Sequence, residues 1–258
     1  MSFTVKSKIY PGRIKMKILI SPISVEEVKI VAQSAADIID IKNVNEGSLG
    51  AQFPLVTKEM VEVIRPFKKE CSATLGDLPY KPGTAALAAL GLVRCGVDYI
   101  KAGLYGPKNF SEAFDMIIAI VQTVRAFSDH IKVVAAGYAD WRKFNGLSPY
   151  DLVAAAKEAA ADVVLIDTAV KDGSTLFEAM AYQEIQQFVE QAKSCHLEVA
   201  LAGSLKESHL PRLAEIAPDI IGVRGAVCAK GNRKAGITEE ALSSFLAVAK
   251  KVTNRVLS

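Results

Sequence analysis

The sequence predicts an α/β protein built as one closed (β/α)8 TIM barrel. A short apolar run, a polar or Gly-containing stop and an amphipathic helical stretch recur eight times along the chain. No break in composition separates the repeats. The length of 258 residues suits such a barrel, which takes about 250. Strands that alternate with helices pair in parallel, because each parallel return needs a crossover. Eight uninterrupted units then close on themselves; an open doubly wound sheet is the alternative.

The eight runs are Lys17–Ser21, Asp37–Lys42, Ser72–Leu75, Asp98–Gly103, Lys132–Gly137, Asp162–Asp167, Glu198–Gly203 and Asp219–Arg224. Helix starts agree with that spacing. Ser24 stands three residues before Glu27, a capping-box pattern. Ser148, Pro149 and Asp151 supply a cap, a preset φ and a favourable charge at the positive end of the helix dipole. Thr238 with Glu239 and Glu240 opens the last helix in the same way. Residues 1–15 read as a polar, basic N-terminal extension and 16–258 as the catalytic barrel domain.

Half of the residues are hydrophobic and 23% are charged, so a large core forms and disorder is not expected. A net charge of +3 is too small to argue for a nucleic-acid partner. Cys71, Cys95, Cys195 and Cys228 form no Cys-x-x-Cys pair, and His130, His196 and His209 are scattered. These read as reduced thiols in a cytoplasmic protein rather than as a zinc or redox site. No segment has the roughly 20 apolar residues of a membrane span, and no secretory signal core is visible. The expectation is a homo-oligomer acting on a small molecule, with no metal, no cofactor, no nucleic acid and no membrane.

Barrel strands alternate between the interior and the helix layer. In the second run Ile39 and Ile41 suit the helices, so Asp40 and Lys42 face inward near the C-terminal end. Lys101 faces inward between Ile100 and Ala102, and Arg224 faces inward after Ile221 and Val223. Asp167 ends the sixth run and is followed by Lys171. Charges are rarely buried unless paired or functional, and catalytic residues of this fold sit at the C-terminal ends of strands. Asp40, Lys42, Lys101, Asp167, Lys171 and Arg224 therefore converge on one mouth. Lys–Asp bridges that merely cap the barrel are the structural alternative, disfavoured because buried ion pairs stabilise poorly.

Three lysines close together have a chemical consequence. Neighbouring positive charge and desolvation both lower a lysine pKa, and a neutral amine attacks a carbonyl to form an iminium. Nearby carboxylates pull the other way. The sequence leaves the net shift, and the order of the three lysines, open.

Gly203 and Ser204 follow the seventh run, and Gly222, Arg224 and Gly225 surround the end of the eighth. Loops after these two strands form the usual phosphate site of the fold. Glycines allow close backbone approach and Arg224 offers a bidentate fork, although such glycines also make simple tight turns. The polar loops at 42–51 and 74–84 suit substrate walls or a lid, with Ser48, Asp77, Lys81 and Tyr138 as supporting candidates. Trp141 is read as loop packing, and Cys71 and Cys228 are not read as nucleophiles. Lys81, Lys108, Lys230 and Arg233 are candidates for a second phosphate.

The segments 40–51, Asp-Ile-Lys-Asn-x-x-Glu-Gly-Ser-Leu-Gly-Ala, and 72–84, Ser-Ala-Thr-Leu-Gly-Asp-Leu-Pro-Tyr-Lys-Pro-Gly-Thr, resemble the (5-formylfuran-3-yl)methyl phosphate synthase family. The similarity continues through Asp-Tyr-Ile-Lys-Ala-Gly-Leu-Tyr-Gly at 98–106, Ala-Ala-Gly-Tyr-Ala-Asp at 135–140, Asp-Thr-Ala-Val-Lys-Asp-Gly at 167–173, Ala-Gly-Ser at 202–204 and Gly-Val-Arg-Gly-Ala at 222–226. The resemblance implies a lyase that condenses two glyceraldehyde 3-phosphates into 4-(hydroxymethyl)-2-furancarboxaldehyde phosphate, with loss of phosphate and water, for methanofuran-type C1 carriers. It also implies a Schiff base on Lys42 and a proton acceptor at Lys101, supported by Asp40, Asp167 and Lys171. The rivals are a class I aldolase for another phosphorylated sugar and a non-catalytic phosphometabolite-binding barrel.

Overall fold

The computed structural model describes residues 16–255, with side chains described through residue 252. The expected extension at 1–15 lies outside the described residues. The strands are β1 (Lys17–Ile20), β2 (Ile38–Ile41), β3 (Glu70–Asp77), β4 (Tyr99–Gly103), β5 (Lys132–Tyr138), β6 (Val163–Asp167), β7 (Glu198–Leu201) and β8 (Ile220–Val223). The helices are α1 (Val25–Ala32), α2 (Pro54–Ile64), α3 (Pro82–Cys95), α4 (Phe110–Arg125), α5 (Pro149–Glu158), α6 (Leu176–Ala179), α7 (Tyr182–Ser194), α8 (Leu210–Ile216) and α9 (Glu239–Arg255). The strands form a closed parallel barrel in sequence order, sealed where Lys17 to Ile20 of β1 pair with Ile220 to Val223 of β8. Among the described residues no helix is long and apolar enough to cross a membrane.

Helix starts follow local chemistry. The hydroxyl of Ser148 accepts from Asp151 N, with Pro149 in the first turn, and Thr238 Oγ1 accepts from Ala241 N. The first cap differs from the expected reciprocal box. Ser24 Oγ accepts from Glu27 N at 3.3 Å, but the Glu27 carboxylate accepts from Ile23 N and Ile237 N instead of closing on Ser24. Its stronger partner, a buried guanidinium, draws it toward the end of the barrel.

Strand ends shift for backbone reasons. β7 stops at Leu201, short of the expected Gly203, because Gly203 (φ +109°) and Ser204 (φ +48°) leave the extended region. β3 runs longer than expected, from Glu70 to Asp77, with its register shifting between Thr74 and Asp77. β8 ends at Val223, and Arg224 (φ −132°, ψ −61°) already belongs to the following loop.

Alternation sorts the side chains into two cores. Ile39, Ile41, Ile100, Ala102, Ile221 and Val223 join the helix-facing core. Leu19, Ile38, Tyr99, Val134, Val163, Leu165, Ala200 and Ile220 fill the barrel. Below that apolar plug, Lys17 pairs with Glu70 at 2.6 Å and Lys132 with Glu198 at 2.5 Å, all four from odd-numbered strands. Asp37, Asp98, Asp162 and Asp219, one before each even-numbered strand, each accept a backbone N–H of the preceding odd-numbered strand at 2.7–2.9 Å. The apolar layers separate this ionic floor from the charged mouth at the opposite end.

Candidate active site

β2 and β4 bring the first pair together. Asp40 is fully buried and Lys101 is 2% exposed. Lys101 Nζ donates to both Asp40 carboxylate oxygens at 2.8 Å, and Ser21 at the end of β1 donates to Oδ2 at 3.1 Å. Both oxygens of this carboxylate thus meet donors from across the barrel interior or from the adjacent β1, the arrangement a buried charge requires.

The second pair closes the sixth strand. Lys171 Nζ donates to Asp167 Oδ1 and Thr168 Oγ1, each at 2.9 Å, and Thr168 N donates to the same carboxylate oxygen at 2.7 Å. Burial raises the Asp167 pKa, but Lys171, Lys42 and these hydrogen bonds outweigh it and hold the carboxyl at about 2. Asp167 is therefore ionised across the whole neutral range.

Lys42 sits between the pairs and belongs to neither. It is 7% exposed, and its Nζ finds no hydrogen-bond or ion-pair partner among the described residues, whereas Lys101 and Lys171 both do. Burial lowers its pKa most; Asp167 and Asp40 pull it upward, and Lys101 and Lys171 push it down, leaving about 8. One interior lysine is thereby left unpaired with a pKa close to neutrality, and two are held by carboxylates. That is the arrangement a carbonyl-trapping nucleophile needs.

Asp77 secures the loop that follows Lys42. Its carboxylate accepts from Ser48 N, Leu49 N and the Tyr138 hydroxyl, while Ser48 Oγ donates to Thr168 O and Thr74 Oγ1 to Leu49 O, each at 2.7 Å. Burial and the adjacent Asp77 push the Tyr138 phenol well above its usual range, so it stays a donor. A Cβ at Gly47 (φ +139°) would collide with the Asp77 carboxylate, which is why the close approach needs glycine. Ser48, Asp77 and Tyr138 thus brace the site. Trp141 lies in the turn after β5, where the Arg142 guanidinium covers its ring at 4.7 Å, in keeping with loop packing.

Gly203 and Ser204 follow β7 and Gly225 follows β8, while Gly222 lies within β8 opposite Leu19. The N–H groups of Gly203, Ser204, Gly225 and Ala226 donate to no protein acceptor among the described residues, and Ser204 is exposed. Arg224 departs from its expected inward, phosphate-facing place. Its Nε donates to Arg233 O, Nη1 to Ser21 O and Glu27 Oε2, and Nη2 to Glu27 Oε1 and Ala235 O. A guanidinium has five N–H donors, and all five are taken. Alternation misled here because the strand ends one residue earlier.

Ser21, Thr168 and the role of Glu27 were not singled out from sequence. Alternation along the first strand marks Ser21 weakly; a Glu seven residues past a strand end carries no such mark. Burial raises the thiol pKa of Cys71, chiefly by desolvation, and of Cys228 likewise, so neither is activated. No group of three or more His, Cys, Asp or Glu side chains is arranged for a metal among the described residues.

Several solved barrels share the fold at low identity. 3-Hexulose-6-phosphate synthase from Salmonella typhimurium superposes with a TM-score of 0.62 at 17% identity, covering 92% of this chain and 100% of that one. Thiamine phosphate pyrophosphorylase from Pyrococcus furiosus gives 0.60 at 16%, covering 95% and 99%. Sequence relatives are much nearer. The (5-formylfuran-3-yl)methyl phosphate synthase of Archaeoglobus fulgidus is 51% identical over 225 residues, 87% of this chain and 95% of its own. Those of Methanosarcina mazei and Methanocaldococcus jannaschii are each 48% identical, covering 90% and 86% of this chain and 98% and 94% of theirs. The family model for 4-HFC-P synthase matches residues 18–246, from the first strand into the last helix, and the chain belongs to that family of synthases.

Proposed function

We propose that this chain condenses two glyceraldehyde 3-phosphate molecules into 4-(hydroxymethyl)-2-furancarboxaldehyde phosphate through a Schiff base on Lys42, as a carbon–oxygen lyase serving a methanofuran-type C1 carrier. The names of the relatives support the product. The observation that carries the chemistry is the contrast among the lysines: Lys42 is unpaired with a pKa near 8, while Lys101 and Lys171 are bound to carboxylates.

Lys42 attacks the aldehyde of one triose phosphate and, with loss of water, forms an imine whose protonated form withdraws electrons from the adjacent carbon. Lys101 takes the proton from that carbon. Its own proton first passes to Asp40 across a 2.8 Å contact, leaving an amine as base. The enamine attacks the second aldehyde, forming the new carbon–carbon bond. Asp167 stays ionised, so Lys171 rather than Asp167 carries the transferable proton that helps the leaving oxygens depart. Loss of one phosphate and, in total, two waters balances the product against two substrates. Aromatisation makes the sequence irreversible. Gly203, Ser204, Gly222 and Gly225 offer a phosphate close backbone approach at the barrel mouth.

Incubation with glyceraldehyde 3-phosphate, without cofactor, should develop a near-ultraviolet furan band together with released phosphate, and Lys42→Ala should abolish both. A lysine adduct trapped by borohydride without a furan band would instead mark an aldolase of other specificity. Binding without turnover, indifferent to Lys42→Ala, would mark a non-catalytic barrel.

A further inference from the structure

With Arg224 fully engaged, the phosphate loops still lack a cation, although a phosphate dianion held in a partly desolvated mouth needs one. Four basic residues near the mouth can be compared. Lys108 Nζ is taken up by Phe144 O at 3.3 Å and lies over the Phe144 ring. Lys81 and Lys230 are exposed. Arg233 is half-buried, and its guanidinium makes no hydrogen bond or ion pair among the described residues. Asp167, at the end of β6, and Asp77, at the end of β3, are the carboxylates acting on it. Asp167 already holds Lys171 and Thr168 through Oδ1, and Asp77 holds loop amides and the Tyr138 hydroxyl. A half-buried guanidinium with no hydrogen bond of its own still has donors to satisfy, and an incoming anion would do so.

The backbone explains how it is held there. Arg224 Nε donates to Arg233 O at 2.9 Å, and Arg224 is itself clamped by Glu27 and Ser21. A Cβ built on Gly225 would lie 3.9 Å from Arg233 Cβ, so the Arg233 side chain starts beside the glycine whose N–H is free. We infer that Arg233 is the residue that binds a substrate phosphate, across the free amides of Gly203, Ser204, Gly225 and Ala226, and that Arg224 is a positioning residue that presents it. The inference rests on the proposed use of a phosphorylated aldehyde and adds the residue that selects for the phosphate.

The test uses Arg233→Ala and Arg233→Lys in the full chain, with melting curves to confirm folding. Inorganic phosphate serves as a competitive probe. Its inhibition constant should rise about 10- to 100-fold in Arg233→Ala, the loss expected for a charge-assisted pair, and Arg233→Lys should recover part of it. Borohydride trapping supplies a second readout. The ratio of adduct formation from glyceraldehyde 3-phosphate to that from unphosphorylated glyceraldehyde should fall by a similar factor. Changes below twofold in both quantities would overturn the assignment. If the wild-type chain traps neither aldehyde, the Schiff-base reading fails by itself. Calorimetric binding of inorganic phosphate to wild type and Arg233→Ala then decides the present inference: a 10- to 100-fold loss upholds it, and equal affinity removes it.

Discussion

At the scale of single residues, the chemistry turns on which lysine is left without a carboxylate. Lys101 has two carboxylate oxygens at 2.8 Å and Lys171 has one at 2.9 Å, whereas Lys42 has only distant charges and a pKa near 8. Imine formation needs the neutral amine, so kcat/KM should climb tenfold per pH unit below about 8 and level off above it. Removing the positive charge of Lys171 relieves a repulsion that lowers the Lys42 pKa and frees Asp167 to raise it. Lys171→Met should therefore move this limb to higher pH, and Asp167→Asn should move it to lower pH. A pH–rate profile of the three proteins checks both signs; a limb that stays in place in both variants would mean that another group titrates.

At the scale of elements, the segment between β2 and α2 has little regular structure yet sits tightly over the barrel. Asp77 receives two of its amides, Thr74 binds Leu49 O, and Ser48 reaches across to Thr168 O. Gly47→Ala would force a methyl group against the Asp77 carboxylate at a φ of +139°. It should cost about 1–3 kcal/mol of stability and lower kcat/KM more than tenfold, because the loop begins at Lys42 and small misplacements of a nucleophile are expensive. Thermal melting and steady-state kinetics on the same preparation separate the two effects. Wild-type values in both would show that Asp77 does not hold this loop.

At the scale of the whole molecule, barrel closure places two different ionic systems at opposite ends of one apolar plug. The floor pairs Lys17 with Glu70 and Lys132 with Glu198, each group about a third exposed, where such pairs contribute little. The seam near the mouth is different. Glu27 and Arg224 are both buried, at 2.7 Å, and also bind the backbone of residues 21, 23, 233, 235 and 237. Glu27→Ala leaves a buried guanidinium uncompensated and should cost about 3–5 kcal/mol. The double variant Glu27→Leu, Arg224→Met should regain much of that stability in denaturant titrations, since its buried charge is gone. If Glu27→Ala costs less than 1 kcal/mol, the seam is held by strand pairing alone.

The eight strands, their parallel closure and the mouth position of Asp40, Lys42, Lys101, Asp167 and Lys171 were legible in the chain. All are local signals: a period of two assigns a face to Asp40, Lys42 and Lys101 within their strands, and Asp167 and Lys171 stand at and just after the end of the sixth run. The helix starts at Ser148 and Thr238 were legible for the same local reason. What tertiary structure alone decided was partnership. Nothing within β2 or β4 states that Lys101 takes both oxygens of Asp40 while Lys42 takes none, because those contacts join residues 61 positions apart. Likewise Glu27, read locally as half of a capping box, meets Arg224 across 197 positions, and that long-range pair removes Arg224 from the phosphate loops. Periodicity sets the direction of a side chain; the free energy of a buried charge depends on every neighbour that closure of the barrel brings to it.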